Sequence, residues 1–479
     1  MPQTPPKNSF PCRPPLSSLF PSKKKTTNSK RPQRFAPSSP RTNNSFEMTT
    51  LLVTALWAIL LFSPAQAGTY AGYTATGLIP FLEADEPGLG FNDDVHVQAL
   101  FARPPFIGSG SGSIPLYVDT GTCGVLISAT DIPGWTGTPP VGAVAGWHYL
   151  SSSSILYNGY WITKDLYFND VYEEPGNTTS DPGTGPVVVI PRYIRTRTPI
   201  LAVTAKTNCT DYDTVAAGPT CAGTPLSPSG VRIMGIGFGR THDGQPQGTP
   251  DKNPFLHVAS IASRTQSLPP VQTGTFWPGY IISKQGITVG LTDANTASMA
   301  FARLETTSGG ATTQHWTDLD TVDWQELPAC IKITAPGAAP GGPTPCEEGT
   351  ALLDLGTGNS FVRVKHDTVD HDNINDPLPR SEATQLLNTG THVQIRFGNP
   401  APGAADAHFT VGMSSATDPR PVTPERVRAV YARSGGGRDA FINTSRYMYR
   451  RFVVAFDPVL GRMGFRLTPV LTPALTPTA

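Results

Sequence analysis

From residue 68 onward, apolar and polar positions alternate in short runs bounded by Gly, Pro, Asn, Asp and Ser. Runs rich in Val, Ile, Leu, Phe and Tyr fall at 114–118, 124–128, 160–168, 187–190, 200–203, 231–236, 280–282, 287–291, 351–353, 361–364, 392–397 and 451–456. Short patterns of this kind, punctuated by turn formers, predict β-strands. Only 253–263, 292–297, 380–388 and 424–432 read as helices, and 334–345 reads as a Gly/Pro/Ala-rich loop. The pattern predicts an all-β protein with a few short helices.

Composition sharpens this picture. Of 479 residues, 47 are Gly and 49 are Pro, and only 15% are charged. Long solvent-facing helices need many Glu, Lys and Arg and tolerate neither Gly nor Pro, so a helical bundle is excluded. The formal net charge of zero makes no electrostatic case for a nucleic-acid partner. That zero is a sum of unlike parts. Residues 1–47 are Pro-rich with a Lys23-Lys24-Lys25 run and no apolar period, which predicts a disordered leader. Residues 48–67 then run from Met48 through an apolar stretch to Ala65-Gln66-Ala67, the form of a secretory signal cleaved after Ala67. The apolar stretch is too short to span a bilayer. Either the true start is Met48 and the leader is an artefact of the assigned start, or the leader is a long n-region supplying positive charge. Without residues 1–67 the chain keeps 27 of its 36 Lys/Arg and 35 of its 36 Asp/Glu, so the secreted body is acidic, at −8.

Beyond the signal lie Cys123, Cys209, Cys221, Cys330 and Cys346. In an oxidising compartment the close spacings predict disulfides Cys209–Cys221 and Cys330–Cys346, leaving Cys123 over. Glycosylation sequons begin at Asn177, Asn208 and Asn443.

One feature repeats. Leu116-Tyr117-Val118-Asp119-Thr120-Gly121-Thr122 precedes one strand run, and Ala351-Leu352-Leu353-Asp354-Leu355-Gly356-Thr357 precedes another. Two copies at half-chain separation are the mark of a duplicated lobe. Carboxylates brought together across such lobes cannot both ionise at ordinary pH and share a proton. The ionised member then serves as general base on a water, and the protonated member polarises a carbonyl. Gly after each Asp permits a tight turn. Thr122 and Thr357 are expected to fix the carboxylates with their hydroxyls.

These residues resemble the catalytic motifs of the pepsin-like aspartic peptidases, a family whose elements match in order across 116–465. Asp119-Thr120-Gly121-Thr122 is similar to the first motif, and Asp354-Leu355-Gly356-Thr357 falls where the second belongs. Arg232-Ile233-Met234-Gly235-Ile236-Gly237 resembles the element that crosses behind the first aspartate, and 450–465 resembles the closing strand pair. The resemblance implies a bilobal all-β fold with a cleft between two related lobes. It assigns 68–285 to a lobe carrying Asp119, 286–470 to a lobe carrying Asp354, and 471–479 to a tail. It implies acid-favoured hydrolysis of peptide bonds by Asp119 and Asp354, supported by Thr120, Gly121, Thr122, Gly356 and Thr357, on a polypeptide bound in the cleft. The alternative is a secreted binding or inhibitor protein with weak or no catalysis.

Several residues depart from the family pattern. Leu355 replaces a hydroxyl residue that helps lock the two active-site loops, and its loss predicts a looser network with a facing N–H unpaired. Cys123 stands in place of Ser, Leu126 in place of a Trp that supports the flap, and Asn443 in place of Gly. For the flap itself, Tyr149 is the candidate tyrosine and Tyr157 its rival, with a hairpin turn expected at Asn158-Gly159. Only Arg103 and His96 are basic between Gly68 and Val118, so no basic pro-segment is expected.

Other signals are weaker. The glycines at 235–239 lack the spacing of a nucleotide loop. His366, Asp367, Asp370, His371 and Asp372 read as a solvated loop rather than a metal site. Cys123 reads as a small buried residue rather than a nucleophile. No cofactor, metal, nucleic-acid partner or stable membrane span is expected, and the chain is expected to act as a monomer.

Overall fold

A computed structural model of the chain describes residues 68–83, 91–102, 112–150, 152–174, 188–210, 220–237, 250–263, 276–305, 324–338, 346–363, 385–398, 405–413, 421–430 and 439–469. The leader, the signal-like segment, Asn177 and the His366–Asp372 cluster lie outside these residues.

The described residues form three β-sheets. One, from the first half, runs in spatial order Val258–Ser263, Val188–Asn208, Cys123–Ser128, Arg232–Ile236, Ser113–Asp119, His96–Leu100, Ile155–Glu174, Val144–Leu150, with Thr224–Leu226 on Val188–Asn208. A second, from the other half, runs Asp406–Thr410, His392–Phe397, Leu327–Thr334, Glu347–Leu352, Ala440–Asn443, Asn359–Arg363, Arg426–Ala429. The third draws on both ends of the chain: Gly77–Pro80, Gly286–Val289, Tyr280–Ser283, Phe452–Asp457, Arg462–Leu467, Ala300–Arg303. The expected lobe boundary at 285/286 falls inside a hairpin of this third sheet.

The duplication read from the two Asp motifs recurs in the pairing. Ser113–Asp119 lies parallel to Arg232–Ile236, which is antiparallel to Cys123–Ser128, which is parallel to Val188–Asn208. In the other half, Glu347–Leu352 lies parallel to Ala440–Asn443, antiparallel in turn to Asn359–Arg363, which is parallel to Arg426–Ala429. Two lobes of one topology therefore carry the two aspartates, each at the C-terminal end of a central strand. Cys123–Ser128, with a neighbour on each edge, is buried at every position.

Helical stretches are shorter than the pattern predicted. Among the described residues the one α-helix is Met448–Arg451. Within 253–263, Asn253 accepts from the Phe255 N–H and caps a single 3-10 turn, Pro254–Leu256. The chain then enters strand Val258–Ser263, which pairs with Val188–Asn208. At 292–297, Thr292 and Asn295 bond each other's backbone N–H with their side chains, and one helical turn forms without continuing. Arg426–Ala429 is a strand because the exposed edge of Asn359–Arg363 accepts it. Residues 385–388 are irregular, with Leu386 bridged to Arg428, and 380–384 lie outside the described residues. The separate strands expected at 187–190 and 200–203 are one, Val188–Asn208, running through Pro199. In each case sheet pairing or local side-chain capping outweighs weak helical periodicity.

The core joins the three sheets. Phe168, Phe255, Tyr280 and Phe456 form a chain of ring contacts with successive centroids 5.7, 5.8 and 4.7 Å apart, linking the first sheet to the third. Phe397 of the second sheet stacks on Phe465 of the third at 5.1 Å. Both expected disulfides, Cys209–Cys221 and Cys330–Cys346, are present, and Cys123 is a buried thiol outside them.

Two buried polar groups generate predictions. Asp457 is fully buried and accepts from Tyr70 Oη, Trp277 Nε1, Arg462 Nε and two backbone N–H groups, tying residues 68–73 to the closing strand pair. Asp457→Ala strands the Arg462 charge and is expected to cost about 3–5 kcal/mol in urea unfolding, against about 1 kcal/mol for Tyr70→Phe. His257 is buried, and desolvation holds its imidazole below the ordinary range. Protonation is therefore easier in the unfolded chain, and stability contributed by neutral His257 is lost as pH falls through the unfolded value of about 6.5. In His257→Gln the melting temperature is expected to fall less steeply than in wild type between neutral and acid pH.

Candidate functional site

The two Asp turns meet where the lobes abut. Asp119 closes strand Ser113–Asp119, and Asp354 follows Glu347–Leu352 by two residues. Both are buried, at 9% and 5% exposure. Their local geometries mirror each other: the Gly121 N–H donates to Asp119 Oδ1 at 2.6 Å, and the Gly356 N–H donates to Asp354 Oδ1 at 2.8 Å. The glycines are required by close approach. A Cβ on Gly121 would lie 2.5 Å from the carboxyl oxygens of Asp354, and one on Gly356 would lie 2.5 Å from Asp119 Cγ. Each carboxyl thus sits over the other turn's glycine.

Thr120 fastens the turns across the lobes. Its hydroxyl donates to the Leu353 carbonyl and accepts from the Leu355 N–H, both at 2.7 Å. The Leu355 side chain is fully buried in the main core and has no hydroxyl with which to reciprocate. Two phenols add cross-lobe bonds. Tyr449, on helix Met448–Arg451, donates to Thr120 Oγ1 at 3.2 Å and to the Leu353 carbonyl at 3.4 Å. Tyr117 donates to the Gly356 carbonyl. Burial, reinforced by the nearby charges of Asp119 and Asp354, pushes both phenols far above their ordinary range, so they remain neutral donors. The helix carrying Tyr449 is itself anchored to the first lobe. Arg446 pairs with Asp94 at 2.5 Å, Arg450 donates to Asn92 at 2.5 Å, and Phe91 packs on Tyr449 with centroids 5.9 Å apart.

The hydroxyls of Thr122 and Thr357 have different partners from those expected. Thr122 Oγ1 lies 2.5 Å from His148 Nε2, and Thr357 Oγ1 accepts from the Asn359 N–H. His148 belongs to the hairpin formed by Val144–Leu150 and Ile155–Glu174, whose last pair is Leu150 with Ile155. The hairpin therefore turns before Ile155. Asn158-Gly159 lies within the second strand, where the pairing with Val188–Asn208 shifts register, and forms no turn. His148 pairs with Tyr157 and Tyr149 with Leu156, so strand alternation puts His148 and Tyr157 on one face and Tyr149 on the other. Tyr149 donates to the Cys209 carbonyl at 3.1 Å and packs against Leu156 and Cys209, not toward the aspartates. Tyr157 packs with Leu126 and Trp161, and burial together with the charge of Asp119 pushes its phenol up to about 12. Trp161 also lies against Gly124, where a Cβ would come within 3.3 Å of its ring.

The second lobe holds its aspartate with an amide. Asn443 Nδ2 donates to Asp354 Oδ2 at 2.6 Å, and the Ser445 N–H donates to Asn443 Oδ1 at 3.1 Å. Register corrects the expected equivalence between Asn443 and a glycine. Ile233 pairs with Leu126 as Asn443 pairs with Phe361, and Gly235 lies two residues beyond Ile233 as Ser445 lies two beyond Asn443. Ser445 is the counterpart of Gly235, and it has a left-handed φ of 64°. Asn443 corresponds to the apolar Ile233. With Asn443 buried at 6% exposure, its sequon does not mark a surface position, whereas Asn208 is exposed.

Scans of family models and of curated protein sequences find no match. Among solved structures, the chain is similar to an aspartic proteinase from Irpex lacteus, at 15% identity and a TM-score of 0.38, covering 83% of this chain and 99% of that one. It is also similar to Basic 7S globulin from soybean, at 13% identity and a TM-score of 0.33, covering 83% of this chain and 97% of that one.

Proposed function

We propose that the protein is a secreted aspartic endopeptidase that hydrolyses peptide bonds with Asp119 and Asp354 at acid pH. The observation that carries this reading is the mirrored pair of turns, in which each carboxyl accepts from its own turn's glycine N–H and lies over the other's glycine. In the reaction, a water between them loses a proton to the ionised carboxylate and adds to the scissile carbonyl carbon. The protonated carboxyl hydrogen-bonds the carbonyl oxygen as it becomes negative. Collapse of the tetrahedral species breaks the C–N bond, with a proton passing from the dyad to the leaving amine. Tyr157, neutral and on the hairpin face it shares with His148, is the better placed flap tyrosine, because Tyr149 is engaged with Cys209. Secretion is supported by the two disulfides and the signal-like 48–67 segment.

The test is cleavage of a denatured protein by the purified secreted chain across acid pH, roughly 2–6. Asp119→Asn and Asp354→Asn are each expected to lower the rate by roughly 10²–10⁴-fold. Absence of cleavage by the wild type would sink this reading.

Leu355 favours a second reading, a secreted binding or inhibitor protein on the same framework, because of the two residues that follow the aspartates only Thr120 carries a hydroxyl. Tight binding of a statine-containing peptide, which mimics the tetrahedral species, counts against it, since such affinity needs an assembled dyad. The joint itself is testable. Thr120→Ala leaves the buried Leu355 N–H without an acceptor and is expected to cost about 1–3 kcal/mol in urea unfolding, while Thr120→Ser retains most of that stability.

A further inference from the structure

We propose that Asn443 is a positioning residue that sets the carboxyl plane of Asp354, and that its sequon is silent because the same amide nitrogen is committed to that carboxylate. The inference rests on the peptidase reading for its catalytic consequence, but its structural half stands on this chain's geometry alone.

The orientation of the amide follows from the hydrogen-bond network. An Asn side chain has one end that only donates and one that only accepts. The Ser445 N–H occupies Asn443 Oδ1, so Nδ2 is the end that faces Asp354 Oδ2, at 2.6 Å. The other carboxyl oxygen, Oδ1, is taken by the Gly356 N–H. With one donor on each oxygen, neither rotation about the Cβ–Cγ bond nor retreat from the opposite turn is free of cost. Asn443 is in turn fixed: its carbonyl accepts from Ser360 Oγ at 2.6 Å, and it sits at the end of a strand paired on both sides. The duplicated lobe has Ile233 at this position, which packs against the apolar cluster that includes Leu126 and carries no donor. The amide is therefore a feature of the second aspartate and not of the repeated fold. A glycan would have to be attached to Nδ2, an atom buried against a carboxylate in a residue 6% exposed.

The experiment compares wild type, Asn443→Ala and Asn443→Asp as full secreted chains. Asn443→Ala is expected to lower kcat on the order of 100-fold, the scale of a misplaced reacting group, with KM changed less than about threefold. Asn443→Asp replaces the amide by a group that donates when protonated and repels Asp354 when ionised. Its activity relative to wild type at each pH is expected to approach unity at the acid end and to fall as pH rises, a signature that loss of packing does not produce. Peptide mass spectrometry of the secreted protein is expected to find Asn443 unmodified. A kcat for Asn443→Ala within twofold of wild type, a flat Asn443→Asp ratio, or a glycan on Asn443 would each overturn the proposal.

Should the wild type cleave nothing, the peptidase reading fails, and the positioning contact is judged by a double-mutant cycle on thermal stability. The melting-temperature loss for Asn443→Ala is then expected to shrink by more than half in an Asp354→Ala background, and equal losses in both backgrounds overturn it.

Discussion

Two carboxyl groups forced together in a buried seam between lobes are the constraint from which the rest of the site follows. Each would prefer water and separation. The fold offsets both preferences with donors: the Gly121 and Gly356 N–H groups from the turns themselves and the Asn443 amide from the neighbouring strand. Glycine at 121 and 356 is imposed by the opposite carboxyl, since no side chain fits between. The topology that delivers the aspartates is the same in both lobes, with each at or just past the end of a strand that has one parallel and one antiparallel neighbour.

The joint between the turns is asymmetric, and the asymmetry is compensated from outside the motifs. Thr120 reaches across and Leu355 does not reach back. The Leu355 side chain instead extends the apolar core, while Tyr449 and Tyr117 bring hydroxyls from a helix and a strand to carbonyls of the second turn. A phenol on a rigid ring reaches further than a threonine hydroxyl and, being buried beside carboxylates, does not lose its proton. The anchoring of helix Met448–Arg451 on Asp94, Asn92 and Phe91 gives the Tyr449 bond its fixed geometry.

Much of the fold was legible because period-two patterning and β-branched residues report burial directly. The strands around both aspartates, both disulfide pairs and the repeated Asp-x-Gly-Thr turns are read from local residue order. The errors have a common cause. The helical readings at 253–263 and 424–432 rest on a few apolar positions at helical spacing, and a neighbouring strand with an unpaired edge outcompetes that preference. Asn158-Gly159 is a strong turn dipeptide, yet a long strand partner absorbs it as a register shift. Tyr149 and Tyr157 could not be separated from order alone, since which face of a hairpin looks inward depends on its partners.

The sequence by itself determined the all-β class, the duplication, the two carboxylates and the glycines they need, because these depend on residue types over short windows. Only the tertiary structure decided what holds those carboxylates. His148 beside Thr122, Tyr117 and Tyr449 across the turns and Asn443 on Asp354 come from up to 329 residues away along the chain. A hydrogen bond requires two groups within about 3 Å. Separation along the chain does not encode that distance, and pairing and register do.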